Sequence, residues 1–600
     1  MIRVADYIMQ RIEEEGIRHV FYIPGGQCVY LADALRRNEN LKAVSVHHEQ
    51  AAAMAALTYS LYSENYGACL VTTGCAGTNT MTGVLHAWQD SIPCIFISGQ
   101  QNYQQTLEAE GLPLRQVGIQ EADIVRLVSP ITKYATMITD VQMLAYSIDK
   151  AIYLSRSGRP GPVWIDVPLD IQNMMVDETS LVRYQPKDAM ALGIYDQDIL
   201  YVEESLKKSE RPVLLIGEGV RRAHAQQDLK ELLQESELPV LLSRYAADII
   251  PCDHPMHFGV VGAGGAWRSA NFTIQNADLV LSIGCRLSTE VIGVNKEEFA
   301  REANIIVVDI DALEHAKKGA RIDRFIHADA GEFLRSLIGR TIKAADNSWI
   351  EKCRHWKEVF PRFAADIDQA ETIDIKYFLS RLSDALPEGA VVLADAGLTG
   401  AVTAGALNIR NGQRAISSIA QGEMGYSLPG AFGAAELTDS HVVAVCGDGS
   451  VMMNLQELQT LVRNQYNIKV VIINNNGYSG VRHGQRAHFR GKTIGTDPSN
   501  GVDFPNFGKV ADAFGIPYFH IKSVDGISDG INAILADNTP FICEVDCDPN
   551  QVDLHAGLVT YGKRKFGFRP LEDFAPFIDR ELFFEEMIVE PMETSYGKPV

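Results

Sequence analysis

Six hundred residues carry 54 Lys+Arg against 76 Asp+Glu, a formal net charge of −22, with 46% hydrophobic and 22% charged residues. That length excludes a single domain at about 150 residues apiece, and the acidic balance, with no basic run of five, sets nucleic acid and anionic membrane surfaces aside as partners. Ten cysteines spread singly, without CxxC pairs, read as buried thiols of a reducing compartment.

The chain opens MIRVADYIMQRIEEEG, with acids where a signal peptide needs a basic flank and an apolar run. The longest apolar stretches fall far short of the ~20 residues of a membrane span, so a cytoplasmic protein is expected. Short apolar runs ending in glycine-rich turns alternate with helix-period segments almost throughout, which predicts an α/β chain of doubly wound parallel sheets. The first series, at 20–26, 68–79, 93–100 and 161–168, falls in an expected domain at 1–173. After a polar stretch from 174 to about 200, runs at 213–220, 237–243, 277–287 and 303–311 mark a middle domain at 195–341. A charged, Trp-bearing stretch near 343–369 reads as a linker with some helix. Runs at 389–397, 441–450, 468–480 and 541–548 then mark a third domain at 370–553, followed by a C-terminal tail at 554–600.

The most informative residues lie in the third series. Cys446-Gly447-Asp448-Gly449-Ser450 ends one apolar run, and Asn475, 27 residues after Asp448, ends the next within Asn474-Asn475-Asn476-Gly477. One carboxylate and one carboxamide at the ends of two neighbouring strands, beside glycines that allow close backbone approach, offer hard oxygen ligands suited to Mg²⁺ and a diphosphate. An ordinary Asp-Gly turn or Asn-Gly turn explains either half alone, but not the two together.

With this pair the sequence resembles the thiamine diphosphate enzymes, and over nearly its whole length it is similar to their acetolactate synthase group. The resemblance implies a pyrimidine-binding first domain, a central domain and a diphosphate-binding third domain, with Asp448, the Asn475 side chain and the Gly477 carbonyl holding Mg²⁺. Gly447, Gly449, Ser450 and Tyr478 fall beside the diphosphate. His48-Glu49-Gln50 matches the group's HEQ motif, so Glu49 is the catalytic carboxyl expected at the pyrimidine nitrogen, a role that needs a group able to hold a proton near neutral pH. Without the family, Glu49 is only an acid favourable to a helix N-terminus. Gly25, Gly26, Thr73 and Asn79 match pyrimidine-side loops. Gly422 and Met424 match the segment that bends the cofactor, although a Met there is otherwise routine core.

Gly118-Ile119-Gln120-Glu121-Ala122-Asp123 resembles a substrate-side segment, with Gln120 the candidate pocket residue. Gly158-Arg159-Pro160-Gly161-Pro162 resembles the exit of the first domain, where it can serve simply to shape the sheet edge. The sequence departs from the group after its Asn motif: Gly484 stands where a Trp packs on the acceptor, beside Arg482, His483 and Arg486. These read either as an acceptor pocket for something larger and anionic or polyhydroxylated, or as solvated loop cations. In the middle domain Arg286 remains from a flavin-binding segment whose acidic part is gone, and Gly217-Glu218-Gly219 with Gly262-Ala263-Gly264-Gly265 leaves FAD open.

The implied function is a thiamine diphosphate- and Mg²⁺-dependent carboligase acting on a 2-keto acid, most simply pyruvate, and a carbonyl acceptor. A nucleotide-activated keto sugar as acceptor, or a decarboxylase or hydrolase on the same scaffold, are the alternatives. The resemblance also implies a homo-oligomer with active sites between subunits. A dinucleotide dehydrogenase would need GxGxxG after its first strand, and neither series opens that way.

Overall fold

Each series of apolar runs builds one six-stranded sheet in which every strand pair is parallel. The computed structural model describes residues 1–186, 193–340, 342–410, 412–562 and 565–600; the expected middle-domain end at 341, part of the polar stretch after 174 and tail residues 563–564 lie outside them.

In the first sheet β1 is His19–Tyr22, β2 Lys42–Ser45, β3 Gly67–Val71, β4 Cys94–Gln100, β5 Tyr134–Met137 and β6 Val163–Pro168, in the order β2-β1-β3-β4-β6-β5. The middle sheet holds β7 Pro212–Ile216, β8 Val240–Leu242, β9 His257–Val260, β10 Leu279–Ile283, β11 Asn304–Asp309 and β12 Arg324–His327, in the order β9-β8-β7-β10-β11-β12. The third holds β13 Val391–Ala394, β14 Arg414–Ser417, β15 Val442–Gly447, β16 Ile468–Asn474, β17 Tyr518–Ile521 and β18 Phe541–Asp546, in the order β14-β13-β15-β16-β18-β17. The first and third sheets share one topology. In each sheet the strand order reverses beside the first strand, between β1 and β3, β7 and β10, and β13 and β15, and loops at the carboxyl ends of the strands flanking that reversal form a crevice.

The central strands are buried on both faces, all seven residues of β4 and all five of β3 included, which is why they read as unbroken apolar runs. Two helices join the first and third domains within the chain. Glu49–Ser63 is buried continuously from Ala51 to Leu61, and it lies against Ser427–Ala435, whose residues Ser427 to Ala434 are buried. Small residues set this contact: a Cβ on Gly433 would stand 2.1 Å from the Ala55 carbonyl oxygen. The Thr58 and Tyr426 hydroxyls close it with a 2.7 Å hydrogen bond.

The stretch near 343–369 differs from a linker. Its helix, Asn347–Val359, buries Trp349, Ile350, Cys353 and Trp356 in the middle-domain core, because these residues repeat at helical spacing on one face. The tail also packs there: Leu571, Phe574 and Phe583 join the same core, and Arg301 donates to Glu572 at 2.8 Å. All ten cysteines are free, eight are buried, and Cys75 is exposed. Among the described residues no helix is long and apolar enough to cross a membrane.

Candidate active site

The third sheet explains the placement of Asp448 and Asn475. Gly447, the end of β15, pairs with Ile473 of β16, so Asp448 and Asn475 emerge side by side at the carboxyl edge. Asp448 is 2% exposed; its two oxygens accept from the backbone N–H of Gly449 (2.7 Å) and Gly477 (2.8 Å). Burial pushes its pKa up to about 6, against the opposing pull of the backbone N–H donors and of Arg482, and a divalent ion would favour its charged form. Asn475 donates its amide N–H to Ser479 Oγ at 3.0 Å, which leaves its carbonyl oxygen for a metal. Gly477 has φ +128°, and a Cβ there would meet the Thr496 carbonyl oxygen at 2.1 Å, so only glycine makes this turn. The Tyr478 ring lies directly on Gly449, and Ser450 is buried just past the strand.

In the first sheet the loops after β1 and β3 meet at the order reversal. A Cβ on Gly25 would meet Thr72 at 2.4 Å, so packing explains that glycine, whereas Gly26 has nothing within 4 Å of a Cβ. Gly422 (φ +64°) likewise opens onto free space, so at these two positions packing gives no reason for the missing side chain. Glu49 is the first residue of its helix, after His48, whose Nδ1 accepts from the Gln50 N–H at 3.1 Å. The Glu49 carboxylate accepts from Asn79 Nδ2 at 2.9 Å, so the HEQ segment and the loop after β3 converge on one acid. Gln50 Oε1 takes a bond from Asn454 Nδ2 (3.2 Å), and the same amide donates to the Gly425 carbonyl at 2.8 Å, which ties both motifs to the segment bearing Met424. Met424 itself is 36% exposed. Thr73 differs from expectation: its hydroxyl points inward and donates to Gln100 Oε1 at 2.6 Å, because a buried polar chain through Gln100 and Asp166 needs that donor.

Comparison with known proteins agrees with this geometry. The family description "Thiamine pyrophosphate enzyme, N-terminal TPP binding domain" matches residues 2–127, its central domain 201–337 and its C-terminal TPP binding domain 395–545. The large subunit of acetolactate synthase isozyme 1 from Escherichia coli K12 is 31% identical over 523 residues, 85% of this chain and 88% of the relative. A probable acetolactate synthase large subunit from Methanocaldococcus jannaschii is 30% identical over 571 residues, covering 91% and 92%. The chain belongs to the acetolactate synthase-like thiamine pyrophosphate enzymes.

In the segment expected on the substrate side of this thiamine pyrophosphate enzyme, Gln120 is exposed with φ +62°, and its carbonyl abuts Gly74 of the loop after β3. Its neighbours turn inward as loop braces: Glu121 accepts from Val117 N–H (2.7 Å), and Asp123 caps the next helix. Arg482 is a correction. Only 3% exposed, it donates to the carbonyls of Asn475 (3.0 Å), Asn476 (2.8 Å) and Pro549 (2.6 Å), so it braces the metal-side loop and is unavailable to an acceptor. His483 packs against His555 with ring centroids 5.3 Å apart, Arg486 donates to Asn550 at 2.9 Å, and Gly484 has open space above it.

The middle sheet carries a cavity of about 270 Å³ at its own reversal, lined by Gly217, Glu218, Gly284, Arg286, Arg159 and Tyr245 among others. Gly217 and Gly284 have a packing reason, since a Cβ on Gly217 would stand 2.1 Å from the Gly284 carbonyl oxygen and one on Gly284 would stand 2.7 Å from the Gly219 Cα. Both Arg159 (2.8 Å) and Arg286 (3.5 Å) already pair with Glu314.

Sequence reasoning missed Asp395, which follows β13 at the third sheet's reversal. It is 1% exposed, with one oxygen accepting from Ser427 N–H at 2.8 Å and the other unpartnered. Burial raises its pKa from 3.8 to about 7. The folded carboxyl therefore keeps a proton that the unfolded one sheds above 3.8, and stability is lost as pH rises through about 7. Asp395→Asn is expected to stabilise the cofactor-free protein by about 2 kcal/mol on the alkaline side, under a ceiling of roughly 4 kcal/mol, with the gain fading toward pH ~4. Denaturant midpoints across pH check this; a pH-independent difference refutes it.

Proposed function

We propose that this enzyme decarboxylates a 2-keto acid, with pyruvate as the donor, and joins the two-carbon unit to a second carbonyl compound, as the name of its acetolactate synthase relatives describes. The observation that carries the reading is the pairing of Asp448 with Asn475 at one sheet edge and of Glu49 with Asn79 at another. Bound thiamine diphosphate supplies the electron sink for loss of CO₂ and makes the former carbonyl carbon nucleophilic. The chain's own part is to hold and orient. Asp448, Asn475 and the Gly477 carbonyl hold Mg²⁺ against the diphosphate, in the oxygen-rich setting this ion prefers. Gly26 and Gly422 would leave room for the cofactor, Met424 would pack against it, and Glu49, positioned by Asn79, would hold a proton at its pyrimidine nitrogen.

Exposed apolar side chains around these loops, Met424, Met452, Met453, Ile119 and Ile494, support a second copy of the chain covering the site; a native mass of one chain would remove that element. FAD is left out of this reading, because the four arginines lining the middle cavity already have partners, Arg159 and Arg286 on Glu314, Arg222 on Glu218 and Arg156 on Asn65. With Arg482 withdrawn, a keto-sugar acceptor rests on the open space at Gly484 with His483 and Arg486, and acetolactate formation is the reading better supported. Pyruvate consumption should depend on added thiamine diphosphate and Mg²⁺, not on FAD, and should yield acetolactate. Release of free acetaldehyde or acetate alone would favour the decarboxylase or hydrolase alternative, and turnover without thiamine diphosphate would end the reading.

A further inference from the structure

Between the first and third domains lies a buried cluster of charge that the chemistry above does not use. His86, on the helix Met81–Gln89, is fully buried; its Nδ1 meets Glu423 Oε1 at 2.7 Å and its Nε2 meets Asp90 Oδ2 at 3.1 Å. Burial alone would lower the His86 pKa, but the two carboxylates more than offset it and raise it to about 10, so the ring is an imidazolium between two anions. Glu423 is the residue before Met424. Its other oxygen accepts from the Ser418 hydroxyl, and the same hydroxyl oxygen accepts from Gly422 N–H at 3.2 Å. On the far side Asp90 accepts from Tyr245 of the middle domain (2.7 Å), and the Tyr245 oxygen accepts from Ala420 N–H. The first and middle domains thus grip one irregular segment of the third, 418–425, which contains positive-φ Gly422 and ends at positive-φ Gly425.

Stability alone is a poor reason for this arrangement. Two carboxylates and an imidazolium pay a large desolvation penalty, and apolar residues of similar volume would commonly stabilise the fold as well or better. What charged, directional bonds add is a fixed geometry, and the geometry they fix is that of the residue next to Met424. We propose that His86 is a positioning residue for the cofactor-facing segment 418–424, acting through Glu423. The proposal rests on the reading that Met424 supports the cofactor.

The test is a double-mutant cycle read as thiamine diphosphate affinity at saturating Mg²⁺, with thermal stability measured in parallel. His86→Gln and Glu423→Gln should each weaken cofactor binding about tenfold, whereas the double variant, an amide facing an amide, should return to within about twofold of the parent instead of the additive hundredfold, a coupling of about 2.3 kcal/mol. Single variants that lose stability but bind the cofactor like the parent would overturn the proposal, and so would a double variant whose defect is the sum of the two. If His86→Gln does not fold, Tyr245→Phe, which removes only the bond to Asp90 and Ala420, should weaken binding about threefold; unchanged affinity in that variant overturns the proposal. Failure of the parent itself to bind thiamine diphosphate would instead remove the functional reading, and this proposal with it.

Discussion

Glu49→Gln is expected to lower pyruvate turnover by about 10²–10⁴-fold, the usual contribution of a positioned proton-transfer group, with little change in fold or cofactor affinity. The carboxylate sits at the first position of a 15-residue helix, capped by His48, and accepts from Asn79. Glutamine retains an oxygen for that bond and the shape of the site, so the substitution removes chiefly the ability to hold and release a proton. Steady-state turnover measured beside a cofactor titration separates the two effects. Unchanged turnover would take the catalytic role from Glu49; equal losses in affinity and rate would make it a binding group only.

Asp448→Ala should raise the Mg²⁺ concentration needed for half-maximal cofactor binding by about 100-fold or more, above the 10–100-fold range typical of residues that merely orient ligands. Two backbone N–H groups fix the Asp448 carboxylate, and alanine deletes the one charged side chain among the three protein ligands proposed for the ion. Ser479→Ala is the graded comparison: it frees the Asn475 amide to rotate but leaves all three expected protein oxygen ligands in place, so its effect should stay near tenfold. Titration of Mg²⁺ against bound thiamine diphosphate ranks the variants. Parity of Asp448→Ala with the parent would place the metal elsewhere.

The strands legible in the sequence and those that were not divide along a physical line. Every strand anticipated from an apolar run lies inside a sheet. The six that gave no such run, β2, β5, β9, β12, β14 and β17, are the outermost strands of the three sheets. Most are four-residue segments, such as Lys42–Ser45 and Arg324–His327, with one face turned to polar surroundings, so they lack the two-sided burial that writes an unbroken apolar stretch. The site divides similarly. Asp448, Asn475 and Glu49 were legible because they follow strands or open a helix within recognisable spacing. Arg482 misled because the sequence reads it as a loop cation, whereas it lies on the helix Ser479–His488 and turns its guanidinium onto carbonyl oxygens. Asp395 and Glu423 gave no signal, since what singles them out is burial and partners brought from distant parts of the chain.

The helix pair that joins the first and third domains bears on how substrate gets in. With the backbone of Ala55 so near the Cα of Gly433 that even a methyl group would not fit, those two domains cannot slide or hinge past one another without breaking their tightest seam. On the proposed reading, admission and release fall to surface segments outside that block, the loop around Gln120 and the helix Ser479–His488 that carries Gly484, both of which bear exposed side chains. Changes of substrate preference within this scaffold have those two segments as their natural material, while residues along the seam are held almost without freedom to vary.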